Sequence, residues 1–190
     1  MSLIKYVKGD LFQLTQIPST EPILLAHACN CLGVWGGGIA FAFKQRFMSS
    51  YKLYHEYCAN FSTDPSQLLG TALLLPVSFK DRDYIEGVSE KLLIVCLFTS
   101  IMGQETPNEI AENTRKALLD LRKQLFDLDL ISNDTARSML KSYRQKSNDK
   151  TDNIPTVNMP KINAGIFGVP WNLTEDALKK TLMQFKVYTL

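Results

Sequence analysis

Between Ala26 and Ala40 the chain reads AHACNCLGVWGGGIA, and most of the side chains able to do chemistry stand there. His27 can move a proton near neutral pH. His27, Cys29 and Cys31 alternate, so on a strand all three would share one face as candidate metal ligands. A closed zinc site needs a fourth ligand, and His55, Cys58 and Cys96 are isolated from them in the chain. The expectation is therefore no metal, with the cysteines as packing groups. Gly36, Gly37 and Gly38 precede a stretch that reads as a helix. Such a loop presents unpaired N–H groups at the positive end of a helix dipole, which suits a phosphate, although a flexible turn is the plainer alternative.

Several phosphate chemistries fail on the residues present. A P-loop needs Gly-Lys-Ser/Thr, but Gly38 is followed by Ile39 and Ala40. The dinucleotide fingerprint needs a further glycine where Phe41 stands. After five intervening residues Cys29 meets Trp35 and then Gly36, so there is no Cys-x5-Arg phosphatase loop. Asp81-Arg82-Asp83 is similar to the paired aspartates of haloacid-dehalogenase-type phosphatases. It follows a polar run rather than an apolar strand, which indicates a surface turn.

These residues need elements to hold them. LIKYVKGD, PILLAHA, GTALLLPVS and KLLIVCLFTS read as strands, the middle ones apolar enough to be buried on both faces. IAFAFKQRF and YKLYHEYCANF read as helices. Thr106 as N-cap, Pro107 in the first turn and Glu109 three residues after the cap begin a third helix. Ile110, Thr114, Ala117, Leu118, Leu121, Leu125 and Leu128 continue it at helical spacing. The polar span 133–153 reads as a surface insertion. TVNMPKINAGIFGVPW returns to strand and loop, Asn172 with Glu175 caps a last helix running through Phe185, and KVYTL closes the chain as a strand. Alternating strands and helices predict one α/β domain over 1–190, with ligands at the carboxyl ends of the strands.

Composition narrows the class. With 190 residues, 45% hydrophobic and 21% charged, the chain suits a soluble domain, and a net charge of +2 gives no reason to expect nucleic-acid or membrane attraction. No signal peptide or spanning segment is visible, so an intracellular protein with reduced thiols is expected.

Three segments in order, VKGDLF, LLAHACNCLGVWGGGIA and INAGIFGVPW, resemble the macro domain family, whose members bind ADP-ribose. The middle and last segments, and the insertion before MPKINAGIFG, are similar to the fungal ADP-ribose 1''-phosphate phosphatases. The resemblance implies a three-layer α/β/α sandwich around a central mixed, mostly parallel sheet. It implies that Gly9, Asp10 and Leu11 meet the adenine, Asp10 accepting from its amine. Asn30 would hold the terminal ribose, beside Ala28 and Cys29. Trp35, Gly36, Gly37, Gly38, Ile39 and Ala40 would line one side of the diphosphate, and Asn163, Ala164, Gly165, Ile166, Phe167 and Gly168 would close over the other.

The implied reaction is hydrolysis of ADP-ribose 1''-phosphate, in metabolism of a tRNA-splicing by-product. Water would attack phosphorus, His27 activating it or protonating the leaving oxygen, with Asn30 orienting the ribose and loop N–H groups stabilising charge. No cofactor, membrane or nucleic acid is implied; the expected protein is a monomer of the cytoplasm and also of the nucleus, acting on a small molecule. Two alternatives remain. One is removal of ADP-ribose from protein side chains, for which Ala40 replaces one family aspartate, and Phe167 replaces the aspartate partner of Lys44. The other is a non-catalytic ADP-ribose reader.

Overall fold

Apolar runs with no polar break cannot leave a face in water, so they pair into a sheet covered on both sides. The computed structural model describes residues 2–146 and 154–190. The strands are β1 (Leu3–Lys8), β2 (Ile23–Asn30), β3 (Ala72–Pro76), β4 (Leu92–Ser100), β5 (Val157–Met159) and β6 (Gln184–Thr189). They form a sheet in the order β1-β6-β5-β2-β4-β3. Every neighbouring pair is parallel except β3 on β4, which is antiparallel. Around it lie α1 (Gly38–Arg46), α2 (Met48–Ala59), α3 (Pro107–Phe126), α4 (Asp134–Lys146) and α5 (Trp171–Lys179).

The two-residue period of the strands sorts the core into two layers. Leu25, Ile94 and Leu73 face Phe43 and Phe47 at α1 and Tyr54 of α2. Leu24, Val95 and Leu74 face Leu118 and Leu121 of α3, Leu140 of α4 and Leu178 of α5. All nine residues of β4 are buried, as its uninterrupted apolar sequence requires. The arrangement is the expected three-layer sandwich with a mixed, mostly parallel sheet. Among the described residues no helix is long and apolar enough to cross a membrane.

Three expectations are corrected. The span 133–153 is not simply a surface insertion: 134–146 form α4, whose Ala136 and Leu140 belong to the core, while 147–153 lie outside the described residues. Ala136, Met139, Leu140 and Tyr143 recur at helical spacing, a stripe overshadowed by the charges between them. Asn133 caps this helix, its Oδ1 accepting from Ala136 N at 2.9 Å. The last helix begins after Pro170 rather than after Asn172, and ends at Lys179. Phe185 belongs to β6, where QFKVYT alternates and sends Phe185 and Val187 inward. Finally, α3 stops at Phe126 because Asp127 caps a separate 3-10 turn, Leu128–Leu130.

Candidate functional site

The carboxyl ends of β2, β4 and β5 meet at a cavity of about 430 Å³. The register of β2 on β4 shifts between Cys29 and Asn30, a bulge that re-aims the strand end. Asn30 then organises the next turn. Its Nδ2 donates to Val34 O at 2.5 Å, and its Oδ1 accepts from Leu32 N at 3.1 Å, Val34 N at 3.2 Å and Tyr54 Oη at 2.9 Å. One Nδ2 proton is left for a ligand, because the amide nitrogen carries two.

The three glycines differ in what they do. Gly36 and Gly37 sit in the loop, and Gly38 opens α1 with φ +59°, a backbone conformation that side chains disfavour. Gly37 is extended at φ −157°, so its requirement is space: a Cβ there would lie 2.9 Å from Ile166 Cδ1. Gly37 N-caps α1 without a side-chain hydrogen bond. The N–H groups of Gly38, Ile39 and Ala40 therefore have no partner within the helix, and these residues line the cavity.

The opposite wall is the loop after β5. Asn163, buried and at φ +66°, anchors it to three elements. Its Oδ1 accepts from Thr99 Oγ1 at 2.9 Å, and its Nδ2 donates to Thr114 Oγ1 at 2.9 Å and Thr174 Oγ1 at 3.3 Å. Gly165, Ile166 and Phe167 project over the cavity from this anchor.

Most predicted residues of both loops come together here, but six do not reach the cavity wall. His27 is the most consequential. It is fully buried beneath α1, its ring stacked on Phe43 at 4.5 Å and edge-on to Trp35 at 4.8 Å. Cys29 Sγ lies 3.6 Å from both ring nitrogens. Equal distances put the sulfur over the ring face, since an in-plane position would overlap the carbon between the nitrogens. Neither lone pair then points at sulfur. Although His27, Cys29 and Cys96 approach within 4.8 Å of one another, the His27–Cys29 contact is packing rather than chelation. The His27 ring packs against Phe43 of α1, directly behind Cys29 and Trp35, which do line the cavity. Cys29 does touch the cavity, yet burial pushes its thiol well up, which makes it a poor nucleophile.

Gly9, Asp10 and Leu11 also lie off this wall, and Asp10 Oδ1 accepts from Phe12 N at 2.9 Å to cap a 3-10 turn. Ala164 and Gly168 shape their loop from outside the cavity. Asp81 of the aspartate pair is structural, accepting from Ser49 N and Ser78 N, each at 2.8 Å. Sequence reading missed Val34, Met102, Pro160, Lys161 and Ile162 on the wall. Pro160 and Lys161 were findable, since they directly follow a strand at its carboxyl end.

Residues 26–178 match the family model described as Macro domain. The chain belongs to the macro domain family. Among curated macro domain relatives, a Debaryomyces hansenii protein named ADP-ribose 1''-phosphate phosphatase is 44% identical over 94% of this chain and 93% of that protein. A Meyerozyma guilliermondii protein of the same name is 39% identical over the full length of both. The solved macrodomain of Mycobacterium tuberculosis DarG superposes with a TM-score of 0.62 at 18% identity, covering 100% of this chain and 99% of that one. At that identity the likeness concerns the fold. In this macro domain the cavity between the two loops stands where an α/β sheet binds its ligand.

Proposed function

We propose that this macro domain hydrolyses ADP-ribose 1''-phosphate to ADP-ribose and inorganic phosphate. The observation that carries the reading is the row of backbone N–H groups at Gly38, Ile39 and Ala40, left without a partner inside the helix, on the wall of a cavity roofed by a second loop. Such groups bind phosphate oxygens and stabilise the charge that moves during phosphoryl transfer. The names of the two full-length relatives support the same substrate.

The chemistry follows from what lines the cavity. Among the described residues, no carboxylate and no imidazole is on its wall. Water oxygen bonds to phosphorus as the bond from phosphorus to the ribose oxygen breaks. The proton released by water passes through a phosphate oxygen to that ribose oxygen, while Asn30 holds the sugar and the loop N–H groups hold the phosphate. Removal of ADP-ribose from proteins is less well served, because Lys44 packs over the Tyr51 ring at 4.4 Å and is not on the wall. The proposal extends, on family resemblance, to a monomer of the cytoplasm and nucleus that clears a tRNA-splicing by-product without engaging nucleic acid or membrane.

The test is phosphate release by the purified chain from ADP-ribose 1''-phosphate, beside release of ADP-ribose from a modified protein. Phosphate release alone is expected. Binding of ADP-ribose with neither release would instead make the chain a reader.

A further inference from the structure

We infer that Lys161 supplies the positive countercharge for the ligand's diphosphate and so sets the site's preference for anionic ligands. Among the described residues lining the cavity, Lys161 bears the only charged side chain, and no acidic group stands beside it on the wall. It stands two residues past the end of β5, where Pro160 and a hydrogen bond from Ile162 N to Pro160 O at 2.8 Å fix the backbone in a tight turn. The side chain is exposed and has no salt-bridge partner among the described residues.

Its place along the sheet selects the diphosphate over other parts of the ligand. This step rests on the ADP-ribose reading above, with Asp10 at the end of β1 and Asn30 at the end of β2. The order β1-β6-β5-β2 puts Lys161 two strands from the first and one from the second. The diphosphate is the segment of ADP-ribose that lies between adenosine and terminal ribose. Backbone N–H groups offset part of its charge, and a lysine ammonium adds the full charge that they lack.

The experiment is calorimetric titration of ADP-ribose into the unaltered chain, K161A, K161Q and K161R at low and high salt, with circular dichroism to verify folding. K161A and K161Q should bind at least about tenfold more weakly, the usual effect of losing a charge-assisted hydrogen bond. Their affinity should also depend less on salt than that of the unaltered chain. K161R, which keeps the charge, should stay within about threefold of the unaltered affinity. Unchanged affinity and salt dependence in K161A would overturn the inference, as would an equal loss in K161R, since the lysine would then only shape its loop. An unaltered chain that binds ADP-ribose but releases no phosphate would sink the phosphatase reading and leave this one standing. One that binds no ADP-ribose would sink both.

Discussion

His27 and Asn30 show how a side chain's neighbours decide what it can do. Three residues apart on one strand, they differ in everything that matters: His27 is sealed between Phe43, Trp35 and Cys29, while Asn30 ties the following turn and faces the cavity. The sequence made His27 attractive because imidazole ionises near neutral pH; in the fold its ring is buried one layer behind the wall residues Cys29 and Trp35. His27→Ala should therefore lower stability by about 2–4 kcal/mol through the void it leaves. The pH profile of the folded fraction should keep its shape, read by denaturation and kinetics on the same sample. A well-folded variant with turnover down a hundredfold and one limb of the profile missing would instead assign His27 the proton transfer. Asp10 is a different case. One oxygen caps Phe12 N and the residue is exposed, so the carboxylate can still serve adenine. Asp10→Asn keeps an acceptor for the cap and removes the charge. Its ADP-ribose affinity should fall by about 1–3 kcal/mol with melting temperature unchanged, and equal affinity by calorimetry would remove Asp10 from the site.

The loops and helices that carry these residues were unevenly readable. The strand-loop-helix passage through Gly36–Gly38 was visible because glycine runs have few structural uses, whereas the separate demands on each glycine emerge only from φ angles and contacts. Gly38→Ala places a side chain at φ +59° and should cost about 1–2 kcal/mol. Gly36→Ala meets only Val34 Cγ1 at 3.3 Å and should be nearly silent; thermal melts of the pair would expose the difference. The helix α4 was hidden for a physical reason. Its stripe is one apolar row among charges such as Arg137, Lys141 and Arg144, so average polarity outweighed periodicity. Leu140→Ala should destabilise the protein by about 2–4 kcal/mol, as for a core leucine, where a mere surface insertion would show almost nothing in urea denaturation.

Across the whole chain, the α/β class and the parallel centre were readable because strands buried on both faces must be apolar throughout, whereas strand order depends on contacts that no local pattern encodes. Burial also has a consequence for pH. Cys31 and Cys58 are pushed up to about 12, chiefly by desolvation, from an ordinary value of 9.0. A raised thiol favours the folded state fully below the unfolded value, and that contribution drains away as pH climbs from about 9 towards about 12. The urea midpoint should thus fall between pH 8 and pH 11 and fall less steeply in Cys58→Ala; a flat profile would contradict the burial account. The sheet order has its own effect on how the protein is made. β1, first of the strands in the chain, pairs with β6, the last, and Gly9 N reaches Thr189 O at 2.8 Å. During synthesis β1 and the neighbouring Asp10 must wait for β6 to emerge, whereas β2, β3 and β4 can pair long before. On a ribosome-stalled chain lacking residues beyond Leu182, protease should clip near β1 while the β2–β4 region resists. The edge proposed to hold adenine is then completed only once β6 is made, so a chain interrupted before β6 carries the phosphate loop without the means to recognise what the phosphate is attached to.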